Sequence, residues 1–448
     1  MKKIVILFSA LLVIGGSAAA QKAKYVVLIS VDGFRPDFYK DKTWPTANMQ
    51  LMMEKGVWAQ GVRGIFPTVT YPSHTTLVTG AMAAKHGILY NTAFEATGQR
   101  GEWNTEASLV KTETLWEAVK KAGMTSASVS WPVTVGATSI DYNIPETFSK
   151  TNPADRRGAS REQSTPKGLF DEVELNATGK LQMNDYNLSS LAMDENVSRM
   201  AAYIIRTYKP NFITLHLPCT DGAQHSQGRT GDAVTRAVAS ADHAIGNILD
   251  ALEKAGIKDS AAVIVTGDHG FVDTHTSIAP NVWLAGLGLT PAKADAENWK
   301  AVFFTTGGST FLRLKDKKDE KTLAQIKKML DELPQQYKKL FRVVDRKEMD
   351  KMGADYDASL ALTAVQGFSF SNDTSGDILK PTKGGTHGYF PDFYEIQTGF
   401  IGYGAGFKKG GVVPVIGLED IAPTIAQLLG IQLPNADGVA YPGLLEKK

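Results

Sequence analysis

Continuous apolar runs alternate with amphipathic stretches along this chain. Residues 25–31, YVVLISV, are apolar at every second position on both faces, as a strand buried in a parallel sheet must be. The runs at 212–217 and 261–265 have the same character. Between them lie helical patterns. Residues 112–123 place Leu115, Trp116 and Val119 on one face and stop at Gly123. Residues 194–208 and 233–255 read as longer helices, and 46–56 and 418–429 as shorter ones followed or closed by glycine. Strands that alternate with helices predict an α/β fold, a mostly parallel central sheet with helices on both faces.

The pattern changes between 300 and 383. Strand-like patches at 301–304 and 310–314 are followed by a charged turn at 315–321, a helix at 322–333 and a segment rich in Lys and Asp. This predicts a smaller α+β insertion (300–383) in a core made of 21–299 and 384–448. Its charges alternate in sign, as on a solvated face. A second unusual stretch, 141–185, is rich in Ser, Asn, Pro, Arg and Gly, and is expected to be a long loop or lid.

Composition narrows the class. A chain of 448 residues exceeds what one core usually needs, in keeping with an insertion or second domain. The net charge of +1, with no basic tract, points away from nucleic acid and anionic membranes as partners. Lys2 and Lys3 precede an apolar run over 4–14 and small residues ending Ala18-Ala19-Ala20, so residues 1–20 are expected to be a secretory signal peptide cut before Gln21. No Cys follows that run, so no bacterial lipid anchor is expected, and no later segment reads as a membrane span. The expectation is an exported protein, periplasmic or released. Its one cysteine, Cys219, has no partner for an internal disulfide.

The apolar strands lead into acids. Residues 25–31 run into Asp32, 212–217 into Asp221 with His225 four residues on, and 261–265 into Asp268-His269. Open α/β sheets bind ligands at such strand ends. His387 stands among three glycines (Gly384, Gly385 and Gly388) that let backbone approach closely, whereas His86, His216, His243 and His275 have no evident partner. A loop that turns into a helix with Pro72 in its first turn brings Thr70 to the helix entrance, where free N–H groups favour a phosphoryl group. Imidazole and carboxylate donors suit zinc. Asp32, Asp221, His225, Asp268, His269 and His387, with the Thr70 hydroxyl, are enough for two metals with open positions. Such a pair can clamp an in-line phosphoryl displacement.

The ordered set of motifs resembles the nucleotide pyrophosphatases/phosphodiesterases of the alkaline phosphatase superfamily. It comprises VDGFR at 31–35, PTVTYPSH at 67–74, HGILYN at 86–91, Trp131-Pro132, DGAQH at 221–225, GDHGF at 267–271 and GGTHGY at 384–389. The resemblance implies an alkaline phosphatase-like fold and hydrolysis of phosphodiester or pyrophosphate bonds in small, nucleotide-type substrates. It implies Thr70 as nucleophile, passing through a phospho-threonine, and Asn91 as a side-chain donor to the phosphoryl oxygen. It also implies one zinc ion on Asp32, Thr70, Asp268 and His269, and a second on Asp221, His225 and His387. Tyr71 and Trp131 are the substrate-binding aromatics it implies. Ser73, Gln224 and Cys219-Thr220 depart from the family pattern and are expected to border the site and to bear on substrate preference. A phosphomonoesterase or phosphonate hydrolase using the same site is the alternative. A monoesterase needs a cation over the third phosphoryl oxygen, for which Lys150, Arg156, Arg157 and Arg161 are the candidates. A secreted zinc-binding protein without turnover is a further reading.

Overall fold

The computed structural model describes residues 22–152, 155–291 and 298–446. The expected signal peptide lies outside the described residues. At the centre is an eight-stranded sheet. Its strands in chain order are β1 (Tyr25–Val31), β2 (Val57–Ala59), β3 (Ser126–Val129), β4 (Tyr142–Ile144), β5 (Phe212–Leu217), β6 (Ala261–Thr266), β7 (Phe400–Gly404) and β8 (Gly411–Val413). Across the sheet they lie in the order β8-β2-β7-β6-β1-β5-β3-β4. Strands β6, β1, β5, β3 and β4 pair in parallel, and only β7 runs against its neighbours β6 and β2. The architecture is α/β, with helices on both faces.

The apolar run of β1 is read out on two sides. Val27, Ile29 and Val31 join one core, beneath the helices Leu191–Tyr208 and Asp232–Lys254. Val26 and Leu28 join the other, beneath Leu115–Lys121 and Ile421–Leu429. All residues of β1, β5 and β6 are buried. Burial on both faces removes any need for polar alternation, which is why these strands read as unbroken apolar runs.

Residues 301–364 include a separate four-stranded antiparallel sheet, with the helix Glu320–Glu332 against it; its buried residues share a third core with Val272, Ile278, Leu284, Leu289 and Tyr389. Residues 141–185 are not a loop. They contain β4 and the helices Arg156–Gln163 and Leu169–Val173. Leu169, Phe170 and Val173 are buried in the larger core, and that anchorage makes the polar segment helical. Among the described residues no helix is long and apolar enough to cross a membrane.

Candidate active site

The parallel register of β1 with β5 and β6 brings their carboxyl ends level. Asp32 follows β1 directly and Asp268-His269 follow β6 by one residue. Past β5 the chain enters the helix Cys219–Gln227, where Asp221 and His225, four residues apart, share one face. Thr70 is the first residue of the helix Thr70–Thr79, after an extended Val69, so it stands in the first turn rather than at the cap. The loop carrying His387 is pressed against this cluster. A Cβ on Gly384 would overlap the His225 carbonyl and one on Gly388 the Thr306 carbonyl, and both glycines have positive φ.

Three imidazoles are set in the same way. His225 Nδ1 donates to the Gly385 carbonyl (3.0 Å), His269 Nδ1 to that of Gly270 (3.1 Å) and His387 Nδ1 to that of Thr68 (2.9 Å). Each ring therefore turns its Nε2 inward. Burial holds His269 down to about 4 and His387 to about 3, so both are neutral near pH 7 with a lone pair on Nε2. His225, less enclosed, is raised by Asp221 against the effect of burial.

Facing these nitrogens are carboxylate oxygens that make no hydrogen bond although they are buried: Asp32 Oδ1, Asp221 Oδ1 and Asp268 Oδ2. Asp268 Oδ2 lies 3.2 Å and Asp32 Oδ1 3.4 Å from His269 Nε2. Asp221 Oδ1 lies 3.3 Å from His225 Nε2 and 3.6 Å from His387 Nε2. Burial, with Asp268 and Asp221 close by, pushes Asp32 well above the ordinary carboxylate range. Lone pairs aimed at lone pairs in a dry site are costly unless a cation lies between them. Two sets, Asp32-Asp268-His269 and Asp221-His269-His387, have donor atoms close enough to share an ion. The donor chemistry fits zinc. Thr70 Oγ1 lies 3.5 Å from His269 Nε2, at the edge of this group.

Asn91 accepts the Tyr71 backbone N–H on Oδ1 (2.9 Å), which orients its amide beside the helix start. The Tyr71 ring is almost wholly enclosed. It packs 5.1 Å from Trp103, and Trp103 stacks 5.1 Å from Phe148. The cleft has two lobes. One, of about 510 Å³, is bordered by Thr70, Tyr71, Trp103, Leu188, Ser189 and Ser226. The other, of about 200 Å³, is bordered by Asn91, Arg100, Trp103, Thr305, Thr306 and His387.

Trp131 does not border either lobe, contrary to the expectation for a substrate-binding residue. Ser130 and Val133, both at φ 57, turn the chain after β3. The Trp131 indole is left fully buried, edge-on to His74 at 4.8 Å. The exposed aromatic is Trp103, on the hairpin strand Arg100–Trp103, which the sequence pattern did not single out. Ser73, Cys219, Thr220 and Gln224 are likewise scaffold rather than cleft wall. The Thr220 hydroxyl donates to the Asp32 carbonyl, and Gln224 Nε2 donates to the Gly33 carbonyl at 3.0 Å.

Sequence reasoning also missed His216 and Glu146. His216 sits at 3.0 Å from both Asp32 Oδ2 and Glu146 Oε2. Burial opposes its protonation, but the two carboxylates outweigh burial and raise it well above the usual histidine range. Glu146 also accepts the Tyr71 hydroxyl (2.9 Å). A buried chain of hydrogen bonds thus runs from Tyr71 through Glu146 and His216 to Asp32. The one signal in the sequence is a polar histidine inside a fully buried strand. Lys150 is exposed, Arg157 pairs with Asp155, and Arg161 pairs with Asp171 and Glu174. Arg156 lies over the Phe148 ring, and none of the four borders the cleft.

A family model described as type I phosphodiesterase / nucleotide pyrophosphatase matches residues 26–390. The chain is 24% identical over 432 residues to ectonucleotide pyrophosphatase/phosphodiesterase family member 3 of Rattus norvegicus, covering 92% of this chain and 42% of that protein. It is 25% identical over 284 residues to a bis(5′-adenosyl)-triphosphatase of Homo sapiens, covering 60% of this chain and 53% of that one. The chain thus spans about half the length, or less, of these curated relatives. Among solved structures, human ectonucleotide pyrophosphatase/phosphodiesterase 5 superposes with a TM-score of 0.67 at 20% identity, covering 92% of this chain and 97% of that one. Its murine counterpart, an inactive threonine-to-alanine form in complex with AMP, gives 0.66 at 21% identity, covering 93% and 97%.

Proposed function

The chain belongs to the type I phosphodiesterase / nucleotide pyrophosphatase family, and from that premise we propose that it hydrolyses phosphodiester or pyrophosphate bonds of small nucleotide-type substrates through Thr70, at a site for two zinc ions. The observation that carries this reading is the convergence of three unpartnered buried carboxylate oxygens and three inward imidazole nitrogens, with the Thr70 hydroxyl at the edge of the group, 3.5 Å from His269 Nε2. Asp32, Thr70, Asp268 and His269 would hold one ion, and Asp221, His225 and His387 the other. When bound, the ions would neutralise the crowded acids and lower the pKa of a coordinated hydroxyl.

The residues of the chain supply the rest. Thr70 Oγ1 attacks phosphorus, and the P–O bond to the leaving group breaks as the O–P bond to Thr70 forms, the proton given up by the threonine ending on the leaving oxygen. Asn91, fixed by the Tyr71 N–H, offers its amide N–H to a non-bridging oxygen as charge builds there. Water then attacks phosphorus from the side of the departed group. The O–P bond to Thr70 breaks and the threonine recovers its proton. The ring of Tyr71, held by Glu146, forms part of the wall for one substituent of the ester. The murine relative bound to AMP, inactive as a threonine-to-alanine form, supports the choice of nucleotide and nucleophile. We also propose, from residues 1–20 alone, that the protein is exported.

The test is kcat/KM of zinc-loaded protein on bis-p-nitrophenyl phosphate and p-nitrophenyl phosphate, beside the Thr70→Ala variant. A diester preference of about a hundredfold, or about 2.7 kcal/mol of transition-state stabilisation, is expected. The variant should lose about a thousandfold or more in kcat. A Thr70→Ala enzyme with undiminished turnover would remove the threonine from the mechanism. A monoester preference would transfer the site to the phosphomonoesterase reading, for which Lys150, Arg156, Arg157 and Arg161 offer no cation at the cleft.

A further inference from the structure

The helix Arg156–Gln163 is docked differently from the longer helices of the core. Its only buried residues are Arg156 and Ser160, one turn apart on one face, so it has no apolar stripe to bury. What it inserts is the Arg156 guanidinium, 4% exposed. Nε donates to the Thr147 carbonyl at 3.0 Å, Nη2 stands 4.0 Å from Glu146 Oε1, and Nη1 makes no hydrogen bond among the described residues. The group lies over the Phe148 ring, 4.5 Å from its centre. Phe148 stacks on Trp103, Trp103 packs against Tyr71, and the Tyr71 hydroxyl donates to Glu146 Oε1, the oxygen that faces Arg156. The contacts therefore close into a ring. Tyr71, Trp103 and Glu146 border the larger lobe of the cleft, and Arg156 stands behind them.

A buried guanidinium with one nitrogen unsatisfied is costly, and neutralising Glu146 does not account for it, since His216 already bonds that carboxylate. At 4.0 Å the Arg156–Glu146 pair is also too long for a hydrogen bond. The placement instead suits a planar cation whose face meets a ring while its edge faces an acid, which an ammonium cannot do. Trp103, on a hairpin strand and 42% exposed, needs such support to keep one orientation. On the other side, burial opposes ionisation of Glu146, but the His216 bond and the Arg156 charge outweigh it and hold the acid below the ordinary carboxylate range, so it stays an acceptor for the Tyr71 hydroxyl. A wall ordered in advance removes the cost of ordering it when a ligand binds. We propose that Arg156 is a positioning residue for the larger lobe: it sets Trp103 through Phe148, and Tyr71 through Glu146, in the orientation that receives an organic substituent of the ester. This rests on the phosphodiesterase reading above and adds to it what holds the wall of that lobe in place.

Three variants separate the parts of this ring. Arg156→Met keeps the length of the side chain without its charge, Arg156→Lys keeps the charge without the plane, and Phe148→Leu removes the link to Trp103. Each zinc-loaded protein is titrated by calorimetry with thymidine 5′-monophosphate and with inorganic phosphate, which has no substituent for the lobe. Arg156→Met should weaken the nucleotide by about tenfold, the size of one ring contact, and inorganic phosphate by less than about twofold. Arg156→Lys should weaken the nucleotide by about threefold. Phe148→Leu should match Arg156→Met, and the double variant should be no weaker than either, because both changes break one set of contacts. On bis-p-nitrophenyl phosphate the loss should fall on KM, with kcat within about threefold of wild type. Equal weakening of both ligands, or additive losses in the double variant, overturns the proposal by reducing Arg156 to general support of the fold. Unchanged nucleotide affinity in Arg156→Met overturns it too, as does a loss confined to kcat, which would assign Arg156 to the acids through His216. Should Arg156→Met fail to fold, Arg156→Lys and Phe148→Leu give the same comparison. If wild type hydrolyses no ester but nucleotide affinity falls as stated, the catalytic reading fails and the Arg156 assignment stands.

Discussion

Asp355 and Asp32 are both buried acids at the ends of packed elements, and the chain treats them in opposite ways. Asp355, in the 301–364 region, is fully enclosed and fully partnered. Its Oδ2 accepts the Tyr90 hydroxyl and an Arg313 N–H, each at 2.5 Å, and its Oδ1 accepts the Asp357 backbone N–H at 2.8 Å. Asp32 has one oxygen on His216, while the other, buried, faces the His269 Nε2 with no hydrogen bond. Asp221 and Asp268 each have such an oxygen too. A satisfied buried acid holds structure together, whereas three unsatisfied acid oxygens crowded against imidazole lone pairs are a stability cost that a shared cation would relieve. The difference separates a scaffold ion pair from a candidate catalytic centre more clearly than burial does, since both acids are buried.

Exchanging the two acids in turn breaks the comparison most directly. Asp32→Asn should lower zinc-dependent turnover by about a hundredfold or more. It should leave the metal-free protein as stable as wild type or more so, because it removes a crowded charge. Asp355→Ala should do the reverse: turnover per folded molecule stays within a few-fold, while stability falls by about 3–5 kcal/mol as Arg313 loses its buried partner. Urea unfolding of the metal-free forms, with assays of the folded fraction, reads both. Equal stability losses for the two variants would mean that Asp32 is a structural acid like Asp355.

His216 sharpens the comparison, because it is the chain's own partial answer to the crowded acids. His216→Gln should weaken zinc binding by about ten- to a hundredfold, measured against a competing chelator, because Asp32 would no longer be held with Oδ1 inward. Tyr71→Phe removes only the far end of the same hydrogen-bond chain, and should leave zinc affinity within about threefold while changing KM. Identical zinc affinity in His216→Gln and wild type would show that the bond does not position the ligand.

A pH profile separates a histidine away from the site from those within it. Buried His86 accepts the Ile88 N–H at 3.1 Å and lies 3.1 Å from Thr76 Oγ1, and burial lowers its pKa to about 3. Its folded pKa is below the unfolded value, so its neutral form contributes stability that is complete above about pH 6.5 and lost as pH falls toward 3, by up to about 1.4 kcal/mol per pH unit. In metal-free protein, His86→Asn should flatten the stability profile between pH 6.5 and 4. An unchanged slope would assign the acid sensitivity to the clustered histidines instead.

Much of this was legible in the sequence. Three apolar runs that each lead into an acid within a few residues make a strong pattern together, and they predicted the sheet and the side on which Asp32, Asp221 and Asp268-His269 gather. The glycines around His387 announced a close approach, and Gly384 and Gly388 make one. Where the reading failed, direction was the reason. Trp131 sits between two positive-φ residues that turn its ring inward, a conformation that neighbouring residue types do not announce. The polarity of 141–185 hid the three apolar residues that pin its helices to the core.

The sequence by itself determined the main strands and helices of the core, their order and the donor atoms available, because hydrophobic periodicity and residue chemistry are local properties. Only the tertiary structure decided which oxygens of those acids were left unpaired, which nitrogen each histidine turned inward, and that Arg100, Glu146 and His216 stand at the site. Those outcomes depend on hydrogen bonds between residues distant in the chain (His387 to Thr68, His216 to Asp32). They are set by which groups remain to be satisfied once the strands have closed into one sheet.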